Sequence, residues 1–126
     1  MTCSYNHIIG VLAFSFLAFM ISARADVTDI RDPNNDHTAM AAAMTAVRSQ
    51  PDLSFCWLTG AQKFSKDSNS SYYHLQIVVR ENDRGNKIIV DTTVIIYNDP
   101  DAVPNMSYLS RFPYFGETDS PYSRCN

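Results

Sequence analysis

The chain has 126 residues and a formal net charge of −3. That length suits one domain with a modest core. No cluster of Lys or Arg occurs, which argues against a nucleic-acid partner and against a basic face lying on a membrane.

Residues 8–21 form an apolar run of about 14 residues, short for a bilayer span and right for a signal-peptide core. Ala23-Arg24-Ala25 then reads as a small-x-small cleavage site. We expect residues 1–25 to be a signal peptide and 26–126 one domain. Residues 1–7 lack Lys and Arg, which leaves a signal anchor as the rival reading. No second apolar run follows, so the mature chain is expected to be secreted, extracellular, free of the membrane and monomeric.

The segment before residue 36 is polar and reads as an extended arm or short edge strand. Asn35 or Asp36 can cap the helix that follows. Met40, Ala43, Met44 and Val47 fall at i, i+3, i+4 and i+7, which predicts a helix over about 38–49. Pro51 ends it. Met40, Met44 and Val47 are expected to face a sheet.

Leu53, Phe55 and Trp57 alternate with Ser54 and Cys56, the start of a strand expected to reach Lys63 with a bulge or bend near Gly60. A polar turn follows at 65–71. The next strand sets Tyr73, Leu75, Ile77 and Val79 against Tyr72, His74, Gln76 and Arg80. A tight loop at 81–86 leads to a third strand with Ile88, Val90, Val94 and Ile96 on one face. A last edge strand is expected near 107–112, and an irregular tail after Pro113. Tyr108, Phe112, Tyr114, Phe115 and Tyr122 are expected to cover the sheet.

Cys3 leaves with the signal peptide. Cys56 and Cys125 then most simply form one disulfide, with two free thiols as the alternative. Closing a loop of about 70 residues would contribute roughly 4 kcal/mol. His37 and His74 have no ligand spacing with the cysteines, so no metal or other cofactor is expected. A nucleophilic Cys56 would need His37 or His74 beside it and has a better use in a disulfide. Asp91 and Asp99 form no catalytic pattern. The chain is not expected to be an enzyme. Asn69-Ser70-Ser71 and Asn105-Met106-Ser107 are glycosylation sequons in expected loops.

An arm, one helix and then long antiparallel strands behind a signal peptide resemble the cystatins, secreted inhibitors of papain-like cysteine proteases. The resemblance spans 33–108. Its closest local match is Tyr72-Tyr73-His74-Leu75-Gln76-Ile77-Val78-Val79, similar to the aromatic-rich strand after that family's first inhibitory loop. The segment from Lys87 to Tyr97 is similar to the strand entering its second loop. The resemblance implies an α+β fold in which a single antiparallel β-sheet wraps on one α-helix.

It also implies a three-part wedge for a protease cleft: an arm with a glycine, a first loop Gln-x-Val-x-Gly and a second loop with Pro-Trp. On this chain those segments fall on the arm at Ile30 and Pro33, on Lys66, Asp67, Ser68, Asn69 and Ser70, and on Asn98, Asp99 and Pro100. The first loop has none of the family's residues, the second keeps a proline without tryptophan, and the arm has no glycine. Two functions are therefore expected: a divergent inhibitor of papain-like cysteine proteases, or a non-inhibitory secreted binding module or effector. A structural or adhesive surface protein would need an exposed flat apolar strand, which the sequence does not show.

Overall fold

The helix begins where the sequence supplies a cap. Asp36 takes an extended backbone, and its carboxylate accepts a hydrogen bond from the Ala39 N–H at 2.9 Å. In the computed structural model, which describes residues 27–65, 67–116 and 118–125, helix α1 runs over His37–Arg48. The expected signal peptide and Lys66 lie outside the described residues. A short 3-10 turn, Pro33–Asn35, leads into the helix.

Five strands form one antiparallel sheet in chain order: β1 (Val27–Asp29), β2 (Leu53–Ser65), β3 (Ser70–Glu81), β4 (Lys87–Tyr97) and β5 (Asn105–Pro113). This is an α+β fold with α1 packed on one face of the sheet. The helix meets the sheet through a different stripe from the one the methionines suggest. Ala39, Ala42, Ala43, Ala46 and Val47 are buried, while Met40 and Met44 are only partly buried at the margin of the same core. Small side chains let the helix backbone approach the pleated surface closely. The longer, flexible methionines fill the gap at its flank.

Opposite the alanines lie Phe55, Leu58, Ala61, Tyr73, Leu75, Ile77, Val79, Val90 and Val94, as the period-2 pattern predicts. Thr92 is buried among them, and its hydroxyl donates to the Tyr108 carbonyl. Gly85 takes φ 73° in the β3–β4 turn, a conformation that glycine adopts without a Cβ penalty.

β2 departs twice from regular pairing. Phe55 pairs with Val79 and Trp57 with Val78, so Cys56 is an extra residue; Leu58 pairs with Ile77 and Gly60 with Gln76, so Thr59 is another. One of these irregularities falls at the bend expected near Gly60. The other was not legible in the alternation. Its effect is to turn Cys56 and Trp57 together onto the face away from the helix, with both neighbours, Phe55 and Leu58, still in the core.

The tail crosses that outer face. Cys125 comes to disulfide distance of Cys56, with Cα atoms 4.7 Å apart. The Arg124 N–H donates to the Cys56 carbonyl at 3.0 Å, and Arg80 Nη1 to the Cys125 carbonyl at 2.8 Å. Tyr114 meets Trp57 edge-on at 5.7 Å, and Lys87 reaches both the Trp57 ring and Asp119. Only part of the expected aromatic cover is present. Trp57 is buried by the tail, but Phe115 is 88% exposed, and Tyr108, Phe112 and Tyr122 are also exposed. The tail crosses near the end of the sheet that carries Trp57 and leaves the rest of the outer face open.

Two measurements test this packing. Thiol labelling of the unreduced, denatured mature protein is expected to find no free sulfhydryl. Reduction should free two and lower stability by about 4 kcal/mol, because the link closes a loop across a separation of 69 residues. Ala43→Leu is expected to cost about 1–3 kcal/mol by overpacking the helix–sheet interface, whereas Met44→Leu at the margin should cost less than about 1.5 kcal/mol, both read from thermal unfolding.

Candidate functional site

The β2–β3 and β4–β5 loops emerge from the same end of the sheet because β2–β3 and β3–β4 are consecutive hairpins. Ser65 pairs with Ser71, and Ser70 with Tyr97, so the loop at 66–69 and the loop at 98–104 begin side by side.

The first loop is organised by one carboxylate. Asp67 Oδ1 accepts from the Asn69 N–H at 2.8 Å, the Ser70 N–H at 2.9 Å and the Ser70 hydroxyl at 3.1 Å. An aspartate side chain that bonds the backbone two residues on mimics a turn. Ser70 is buried at the base of this turn, and Asp67, Ser68 and Asn69 are exposed around it. The exposed Asn69 leaves one sequon open to a glycan. The second sequon differs from its expected position: Asn105 is the first residue of β5, paired with Ile95, rather than a loop residue. The strand starts there because Pro104 ends the loop and its successor can enter the ladder.

Asn98 joins the two loops. Its backbone N–H donates to the Asn69 carbonyl at 2.8 Å, and its side-chain amide donates to the Ser68 carbonyl. Asp99 turns the second loop by accepting from the Asp101 N–H at 3.0 Å, and its carbonyl accepts from the Ala102 N–H at 3.1 Å. Pro100 is exposed at this turn. The joined edge therefore presents Asp67, Asp99 and Asp101, an acidic rim.

The arm residues are not at this edge. Val27 pairs with Phe64 near the loop end, and the Ile30 N–H donates to the Ala61 carbonyl at 3.0 Å, further along β2. Ile30 packs into the core, and Pro33 opens the 3-10 turn. The chain runs antiparallel to β2, so each residue after Val27 moves away from the loops. The arm approaches the edge at Val27.

Two contributors were not found by sequence reasoning. Val103, in the second loop, is 80% exposed. Its only sequence signal is an isolated apolar residue between polar turn residues and Pro104. Val27, Phe64, Tyr72 and Ile95 are register partners across four strands and form a half-buried apolar row beside the loops. That row requires the register of the hairpins, which alternation alone does not fix.

On the next rows of the outer face, His74 Nε2 lies 2.7 Å from Asp91 Oδ1, and the Tyr108 hydroxyl donates to the same oxygen at 3.2 Å. Cys56 is not among them, being paired with Cys125. No group of three or more metal-ligating side chains occurs among the described residues, and no helix among them is long and apolar enough to cross a membrane.

Scans against family models, curated proteins and solved structures give no match.

If Asp67 holds the first loop, Asp67→Ala should leave the nearly buried Ser70 hydroxyl and two backbone N–H groups without their acceptor. The expected loss is about 1–3 kcal/mol, with faster hydrogen exchange at the Asn69 and Ser70 amides.

Proposed function

We propose that this protein is a secreted inhibitor of papain-like cysteine proteases of cystatin type, with its sheet curled on the helix and its loops diverged. The observation that carries the reading is the joined pair of hairpin loops at one end of the sheet, fastened through Asn98. A preorganised two-loop edge binds without first having to order its loops. A secreted protein that blocks a cleft needs such an edge on a rigid scaffold.

The contact chemistry differs from that of the family it resembles. Val103 is the exposed apolar side chain that enters the substrate groove, and the row of Val27, Phe64, Tyr72 and Ile95 extends the contact sideways. Asp67, Ser68, Asn69, Asn98, Asp99 and Pro100 stay at the rim. Burying the Asp67 carboxylate would break the bonds that shape its own loop and would cost desolvation. The amino-terminal contribution comes from the segment at Val27 rather than from Ile30 and Pro33.

A non-inhibitory cystatin-fold binding module or effector is the second reading. The polar, acidic loop tips favour it, since they offer an open groove little apolar surface.

Titration of a papain-like protease with the mature protein separates the two. Inhibition is expected, weakening as salt rises because the rim is charged. Val103→Asp should weaken it about tenfold to a hundredfold, the effect of losing one buried valine. Lys66→Gln with Ser68→Val and Ser70→Gly rebuilds the family's first loop and should strengthen inhibition. No inhibition at micromolar concentration by either protein would leave the binding module as the better account.

A further inference from the structure

The two edges of the sheet are treated differently. Along β2, the β1 strand pairs with residues Gln62, Lys63 and Phe64, and the Ile30 N–H extends that pairing to the Ala61 carbonyl. Beyond β1, a side chain takes over. Asn34 Nδ2 donates to the Leu58 carbonyl at 2.9 Å, and the Leu58 N–H donates to Asn34 Oδ1 at 2.8 Å. One carboxamide thus makes the two bonds that a neighbouring strand residue would make. The Arg124 N–H then covers the Cys56 carbonyl. The outermost strand on this side, β1, is only three residues long, so this margin is blunted by its shortness.

β5 is the other edge, and no described residue pairs with its outward side. Edge strands are usually blunted by charge, proline, bulges or shortness. β5 has nine residues. Its bulge lies at Ser107, between the pairs Thr93–Tyr108 and Val94–Met106, and its proline is the last residue, Pro113. The stretch from Tyr108 to Phe112 is regular and unprotected. Its single charge, Arg111, is drawn away to the inner face. Arg111 Nη1 lies 2.7 Å from Asp52 Oδ2, and Nη2 reaches Asp52 Oδ1 and Gln50 Oε1. Those hydrogen bonds from the guanidinium hold the Asp52 carboxyl below the usual carboxylate range. On the outer face, Tyr108 is 48% exposed and Phe112 is 50% exposed.

We infer that this edge pairs with the same edge of a second copy, β5 against β5, to give a two-fold dimer with one continuous sheet. The occupant follows from self-complementarity. In an antiparallel pair with Ser110 on the two-fold axis, Tyr108 of each copy stands opposite Phe112 of the other. Both lie on the outer face, because each is separated by an even number of residues from Ser110. The regular stretch is thus centred on a register that makes two aromatic cross-strand pairs, and no like charges oppose each other in it. The inference does not depend on the inhibitor reading, and it departs from the monomer expected from the sequence. A five-residue edge contact is small beside the roughly 1,000 Å² of stable interfaces, so the dimer is a weak, concentration-dependent one.

Sedimentation of the mature chain, produced without glycans, tests it. The expected result is a monomer–dimer equilibrium. Tyr108→Glu and Phe112→Lys should each weaken the dimer about tenfold or more, since symmetry removes both aromatic pairs at once. The double variant Tyr108→Glu with Phe112→Lys should restore it, because that register puts Glu opposite Lys across the axis. Within one chain the two positions are four residues apart on a strand, too far to pair with each other. All three variants change half-exposed side chains, and circular dichroism checks that they fold. A parent that stays monomeric up to about 1 mM leaves the edge for a foreign strand or for none, and overturns the proposal. A dimer indifferent to both single variants, or one that the double variant does not restore, overturns it as well.

Discussion

One extra residue in β2 determines how both faces of this sheet are used. A regular strand alternates, so Cys56 and Trp57 would point to opposite sides. With Cys56 bulged, both turn outward while Phe55 and Leu58 remain against the helix. The core thus exchanges Trp57 for Leu58, and the outer face gains an anchor. Much of the tail's attachment converges on this short stretch: the sulfur pair, the Arg124 hydrogen bond to the Cys56 carbonyl and the Tyr114–Trp57 contact, with the Arg80 and Lys87 contacts beside it. Without the tail the outer face would expose a tryptophan and its apolar neighbours, Val78 and Ile89, to water.

The helix interface works by a different economy of space. Ala39, Ala42, Ala43 and Ala46 contribute little area each, but they let the helix lie close to strands whose larger side chains supply the volume. A sheet held firmly in this way is a suitable base for loops that must keep their shape. The loops then need only a few bonds of their own. Asp67 turns one and Asp99 the other, while Asn98 spans between them. None of these bonds draws on the core, so the loop sequences can vary while the scaffold stays the same.

Much of the architecture was legible because it rests on period. Tyr73, Leu75, Ile77 and Val79 announced a half-buried strand, and Asp36 with Pro51 bounded the helix almost to the residue. The bulge at Cys56 was hidden because Leu53 to Trp57 still alternates on paper. The methionine stripe misled because periodicity locates a face only to within a residue or so, and the choice between Met44 and Ala43 is made by how closely two elements can approach. The site was less legible still. Asn98 is an ordinary polar loop residue until the register sets it beside Asn69, and Ile30 reads as an arm residue until pairing with β2 carries it away from the loops.

The Asn34 carboxamide has an effect on stoichiometry. A sheet with two open edges can add neighbours at both sides and grow without limit, head to tail, into a filament. Here β1 is three residues long and one side chain completes the ladder at Leu58, so β5 offers by far the longer run of open backbone. Any pairing between identical open sides uses up both at once. Growth by strand addition at β5 would then have little to continue from, because Asn34 and the shortness of β1 limit the opposite margin of the sheet.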